Sequence, residues 1–155
     1  VYGLRSGLSM LDASYLMTAF MLGSILLEMP IASASDWFDR RYVMITLVLL
    51  SLVAAMYLPM AIYYRWTAWA LLFVWGGMMG GLFSICLALM AERFQGEALI
   101  RANGAFALMD NVGGLAGVLV MGIGMDIFGE DGFPYAIMLA SVAYFSFALT
   151  RYQVR

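Results

Sequence analysis

Three places in this chain carry side chains able to do chemistry in otherwise apolar surroundings. Glu28 and Asp110 are single carboxyls inside long apolar stretches, and residues 36–41, Asp-Trp-Phe-Asp-Arg-Arg, set two acids and two arginines into one short segment. A carboxyl at hydrocarbon depth can take a proton, a cation or the polar part of a solute. Its charged form costs at least ~2.5 kcal/mol on insertion scales, so such a residue marks a functional site by default. Asn111, next to Asp110, adds amide donors. In the 36–41 segment, Asp36 can cap a neighbouring helix N-terminus, where a dipole of about half a charge favours an anion. Arg40 and Arg41 can pair with Asp39 or other carboxylates. A mere topological anchor would account for the arginines but not for the acids between them.

Other chemistry is excluded by what is missing. The chain has no histidine, and its eight basic residues are all arginines. That removes the usual neutral-pH general base and the commonest metal ligand. A His-based zinc-protease motif is impossible, a GxGD motif is absent, and Glu28 and Asp110 stand far apart in sequence. No enzyme, metal or cofactor is expected. A formal net charge of −2 leaves no basic stripe for nucleic acid. The single cysteine, Cys86, lies in an apolar run and allows no intrachain disulfide.

The elements that must position these residues are membrane helices. Hydrophobic residues make up 65% of the sequence and charged ones 12%, against ~45–50% and ~25% in soluble domains. Residues 42–64 run without a charge, and ~20 apolar residues suffice to cross a bilayer. Charges divide the chain into five spans, at about 13–35, 42–64, 66–91, 102–125 and 132–150, in one transmembrane domain. The first is not a signal peptide, because it is too long and lacks a basic segment with a cleavage-type site. An odd number of spans and a start at Val1 lead us to expect a piece of a longer protein.

Arg40, Arg41, Arg93, Arg101, Arg151 and Arg155 fall on one side of these spans, and Arg5 and Arg65 on the other. The positive-inside rule therefore places the N-terminus outside and the C-terminus in the cytoplasm. Tyr63, Tyr64, Trp66 and Trp69 gather at the short outer turn, where an aromatic belt belongs. Ser9-x-x-Asp12 can cap the first helix. Pro30 and Asp36 mark its end, Pro59 is a candidate kink, and Pro134 is placed to begin the last helix. Residues 92–101, ERFQGEALIR, read as an amphipathic cytoplasmic segment. The second span, rich in Leu, Val and Met and free of glycine, reads as lipid-facing.

Asp110 lies about 13 Å into the fourth span, close to the midplane where transporter sites occur. Glu28 lies nearer the cytoplasmic end of the first, where anchoring the adjacent loop competes with binding substrate. Small residues four apart let membrane helices approach closely. Gly76/Gly80, Gly77/Gly81 and Gly113/Gly117 have that spacing, which fits static packing as well as helices that bend or slide. The methionines, including Met78 and Met79, suit a soft ligand, but packing explains them more simply.

The segment Pro30–Arg41 resembles the cytoplasmic loop signature of the major facilitator superfamily, G-x-L-x-D-R-x-G-R-R, in its variant S-D-R-F-D-R-R. Asp36, Phe38, Asp39, Arg40 and Arg41 fit. Ala32 stands for the usual Gly, Ala34 for Leu and Trp37 for the first Arg. VYGLRSGLS resembles the outer end of helix seven. LMAERFQGEALIRANGAF resembles the loop between helices ten and eleven. NVGGLAGVLVMGIGMDIFG resembles helix eleven, with Val118 for a common Pro.

The resemblance covers essentially the whole chain. It implies an all-α membrane protein whose five transmembrane helices form most of one six-helix half of a major-facilitator fold. That half would be the C-terminal one, helices eight to twelve, of a bacterial-type member in the inner (plasma) membrane. The implied function is secondary transport of a small solute by alternating access, with Asp110, Asn111 and Glu28 as candidates for substrate binding or proton coupling. The implied partners are the bilayer, the N-terminal half and an unidentified solute. Asp36, Asp39, Arg40 and Arg41 would form a cytoplasmic latch, with Asp36 reaching helix five of the other half. Helix ten would line the cavity, making Trp75 and Ser84 candidate lining residues. The alternative is a structural or assembly subunit without transport activity.

Overall fold

The computed structural model describes residues 4, 7–129, 132, 135–140 and 142. Four long helices dominate it: α1 (Met10–Trp37), α2 (Arg40–Ala61), α3 (Arg65–Arg93) and α4 (Glu97–Phe128). Each is long and apolar enough to cross a membrane. α1, α3 and α4 contain the first, third and fourth expected spans, and α2 covers the second as far as Ala61. Most of the fifth, including Pro134, lies outside the described residues, as do Arg5, Glu130, Asp131, Arg151 and Arg155.

Local signals explain where these helices begin and stop. Ser9 is the N-cap of α1; its hydroxyl accepts from the Asp12 amide at 3.1 Å and donates to the Asp12 carboxylate at 2.7 Å. Pro30 does not end α1, which runs on to Trp37, one residue past Asp36; α2 likewise runs through Pro59, the candidate kink, to Ala61. Proline removes one backbone donor, and the bonds on either side still form. Residues 92–101 are not a separate surface segment. α3 continues to Arg93, Gly96 breaks the chain at φ +57°, and α4 starts at Glu97, with Glu97 and Arg101 paired at 3.2 Å within its first turns. An acid in the first turn complements the helix dipole, so α4 begins earlier than apolarity alone implies.

Packing is uneven. α1 lies along α3, and the pair is drawn together by glycines: a Cβ on Gly23 would collide with the Phe73 backbone, and one on Gly76 with the Phe20 backbone. At Gly80 a Cβ would stand 2.8 Å from the Ser24 carbonyl oxygen, while Gly77 sits under Leu27 and Gly81 under Ile31. α2 is not wholly lipid-facing. Its stripe of Leu47, Val48, Ser51, Ala54, Ala55, Leu58 and Ala61 is buried, at the spacing of one helical face. Trp75 and Met78 of α3 close two small cores against it. Leu49, Leu50, Val53, Met56 and Met60 occupy the exposed remainder. α4 stands apart. Met125 is its one buried side chain among the described residues, and Phe83–Phe106, with centroids 5.3 Å apart, joins it to α3.

Candidate functional site

The charged turn between α1 and α2 is organised around Arg40. Its guanidinium reaches back to the Asp36 carboxylate at 2.7 Å and across to Glu92, at the end of α3, at 3.4 Å. Asp36 lies in the last turn of α1, so its carboxylate faces the residue four positions on. Within this chain the N-cap of α2 is Asp39, which accepts the Arg41 backbone N–H at 2.9 Å. Arg40 is largely covered while Asp36 and Glu92 are more than half exposed. Among the described residues the Arg41 side chain makes no ion pair. Of the four residues named from sequence, Asp36 and Arg40 are paired and are joined by Glu92, which was missed, while Asp39 caps α2 and the Arg41 side chain stands outside the cluster. The position of Glu92 just after the third apolar span, on the same side as Arg40, was the available signal.

At the opposite end, Arg65 at the start of α3 pairs with Asp12 at the start of α1. Tyr15 and Trp69 meet beside it, with ring centroids 6.1 Å apart. A small cavity of about 150 Å³, lined by Leu8, Asp12, Tyr63, Arg65 and Trp69 among others, lies between the helix ends. Both ends of the α1–α3 pair are therefore fastened by arginine–carboxylate contacts.

Between the two ends, Glu28 of α1 accepts a hydrogen bond from the Ser84 hydroxyl of α3. Both side chains are half-buried, next to the Gly80 approach. Ser84, named from sequence as a cavity residue, is instead engaged at this helix crossing. Trp75 needs a larger correction. It is 6% exposed and packed with Ala54, Ala55 and Leu58, so it is core. An all-apolar helix offers no polar face from which its inward side could be read. Met78 is likewise buried and accepts the Ser51 hydroxyl at 3.9 Å, a packing role.

Asp110 and Asn111 lie near the middle of α4 and remain separate from Glu28. Asn111 returns its amide to the Ala107 carbonyl at 2.7 Å, while the Asp110 carboxylate faces out. With Met109, Gly113, Gly114, Leu115 and Val118 they border an open depression of about 590 Å³. Nothing among the described residues would meet a Cβ on Gly113 or Gly117, so the packing expected of them is not made here.

Four apolar helices, a half-buried polar contact at a glycine crossing and a charged turn between two of the helices are thus on hand. The family model of the Major Facilitator Superfamily matches residues 3–154. The chain belongs to that superfamily. No curated protein and no solved structure matches it. As a superfamily member it is a multi-pass membrane protein of transporter type, and the all-α helical architecture agrees.

Proposed function

We propose that this superfamily chain is the C-terminal half, helices eight to twelve, of an inner-membrane transporter that moves a small solute by alternating access. The observation that carries the reading is the bridging of Asp36 and Glu92 by Arg40. It ties the α1–α2 turn to the end of α3, so these helices must move together or break two ion pairs. Such a connection is what a rigid half rocking against its partner needs. The turn is cytoplasmic in this reading, on the six-to-two arginine bias.

Asp110 serves in this proposal as the acid of the transport path. It is exposed near the middle of α4, beside Asn111, with an open depression before it. Substitution by Asn keeps a polar group of the same shape but cannot titrate. In the complete protein in proteoliposomes, screened against a solute panel, Asp110→Asn is expected to lose accumulation driven by a pH gradient. Accumulation at the wild-type level would remove Asp110 from coupling. Absence of transport for every solute by a well-inserted wild-type protein would favour the structural-subunit reading.

A further inference from the structure

The charged end of the molecule does not balance its own arginines. Arg40 takes both Asp36 and Glu92, and Arg101 takes Glu97. The Asp39 carboxylate accepts the Arg41 backbone N–H as cap of α2. Two guanidiniums are left over. Among the described residues the Arg41 and Arg93 side chains make no ion pair and no hydrogen bond, and both residues are exposed. The Arg40–Glu92 contact at 3.4 Å joins the start of α2 to the end of α3. An unpaired arginine therefore lies one residue from that joint on each helix.

Depth in the membrane decides what can meet them. Residues 42–64 and 66–91 carry no charge; Arg41 directly precedes the first run, and only Glu92 separates Arg93 from the second. Both arginines thus lie where hydrocarbon gives way to headgroups, whichever face of the membrane this is. The same layer holds Trp37, 87% exposed, Phe38, 70% exposed, and the exposed ring of Phe94. Uncovered aromatics interleaved with charges suit the interface, where an apolar ring and a polar neighbour are both satisfied.

A guanidinium presents five N–H donors in a planar fork that matches two oxygens of a phosphate. The carboxylates that could receive a headgroup ammonium are already engaged by Arg40, Arg101 and the α2 cap. A phosphate without its own cation therefore fits this end better than a zwitterionic headgroup. We propose that Arg41 and Arg93 form a headgroup site for an anionic phospholipid, with the Trp37, Phe38 and Phe94 rings at the boundary to its acyl chains. A lipid held by both arginines adds a tie between α2 and α3 beside the Arg40 joint. The site depends neither on transport nor on which face is cytoplasmic.

Native mass spectrometry of the complete protein, released from detergent with equal amounts of phosphatidylglycerol and phosphatidylcholine, tests this. The wild type should retain phosphatidylglycerol in preference, and the preference should shrink as salt is raised. Arg41→Gln and Arg93→Gln should each lower phosphatidylglycerol affinity about fivefold. Arg101→Gln, whose guanidinium is already paired with Glu97, should lower it by about twofold or less. Trp37→Ala should weaken both lipids alike, because a ring at the chain boundary does not read the headgroup. Soluble glycerol phosphate should fail to displace the lipid. Equal retention of the two lipids by the wild type would overturn the proposal. So would a loss in Arg101→Gln as large as in Arg41→Gln, which is the mark of diffuse surface charge. Displacement by glycerol phosphate would make this a site for a soluble anion instead. Unchanged affinity in both Arg41→Gln and Arg93→Gln would hand these guanidiniums to carboxylates elsewhere in the complete protein. If Arg41→Gln inserts poorly, the Arg93→Gln affinity decides.

Discussion

Two helices of this molecule carry the same glycine spacing and use it in opposite ways. On α3, Gly76, Gly77, Gly80 and Gly81 lie under α1, with Phe20, Ser24, Leu27 and Ile31 occupying the space their side chains would take. On α4, Gly113, Gly114 and Gly117 face nothing within reach among the described residues. A small-residue row permits close approach but does not cause it, because without a hydrophobic drive between helices in lipid the partner must supply matching surface. α1 supplies it through Gly23, which lets the two backbones touch from both sides. Polar fasteners then hold the register: Asp12 with Arg65 at one end, Glu28 with Ser84 within, and Arg40 spanning Asp36 and Glu92 at the other. α4 has its own acid and amide but no such fasteners to α1–α3 among the described residues.

The largest effect expected from this contrast is at Gly76. Any side chain there must displace the Phe20 backbone, and a valine adds branching that a helix–helix contact cannot move aside. Gly76→Val should cost about 3 kcal/mol or more, at the upper end of overpacking penalties. Thermal unfolding of the full protein in detergent measures it. A loss under about 1 kcal/mol would mean that α1 and α3 separate easily and that the crossing is not the rigid element described here.

The helices themselves were legible because charge-free runs of membrane length have few alternatives. The four described helices extend beyond the apolar runs where a local device allowed it: the Ser9 cap, the Asp39 cap and the left-handed Gly96. The 36–41 segment was legible as a cluster, but not which acid does what: a cap depends on which residue directly precedes the helix, so Asp39 caps α2, and the acid four positions before Arg40, Asp36, takes its ion pair. Glu92 was hidden because its partner is distant in sequence. Trp75 was misplaced for a different reason: with apolar residues all round α3, nothing distinguishes the side facing α2 from the side facing a cavity. Gly23 was missed because a single glycine has no spacing to notice.

A middle-sized effect is expected at the charged cluster between α1 and α2. Its ion pairs are partly exposed, and such pairs contribute ~0.2–1 kcal/mol each. A double-mutant cycle on Arg40→Gln and Glu92→Gln should give a coupling energy in that range by thermal unfolding. Function should respond more strongly than stability. Asp36→Asn frees one side of Arg40 and should impair transport while leaving membrane insertion and expression normal. Unchanged transport across the solute panel would reduce the cluster to an anchor for topology.

The smallest effect is expected on α4. A methyl group at Gly113 or Gly117 meets no atom of the described residues, and alanine is the better helix former by up to ~1 kcal/mol in soluble hosts. Gly113→Ala and Gly117→Ala should therefore shift the unfolding midpoint little and in the stabilising direction. The same substitutions also report on what α4 meets in the assembled transporter. If each costs as much as overpacking does at a filled site, ~1–3 kcal/mol, another helix is lying against that row. The two outcomes differ in sign, so modest precision separates them. A neutral result leaves the Asp110 side of α4 open to water or solute, as a transport path requires. A destabilising one would cover the depression beside Asp110 with a helix and end the case for that acid as the one the solute meets.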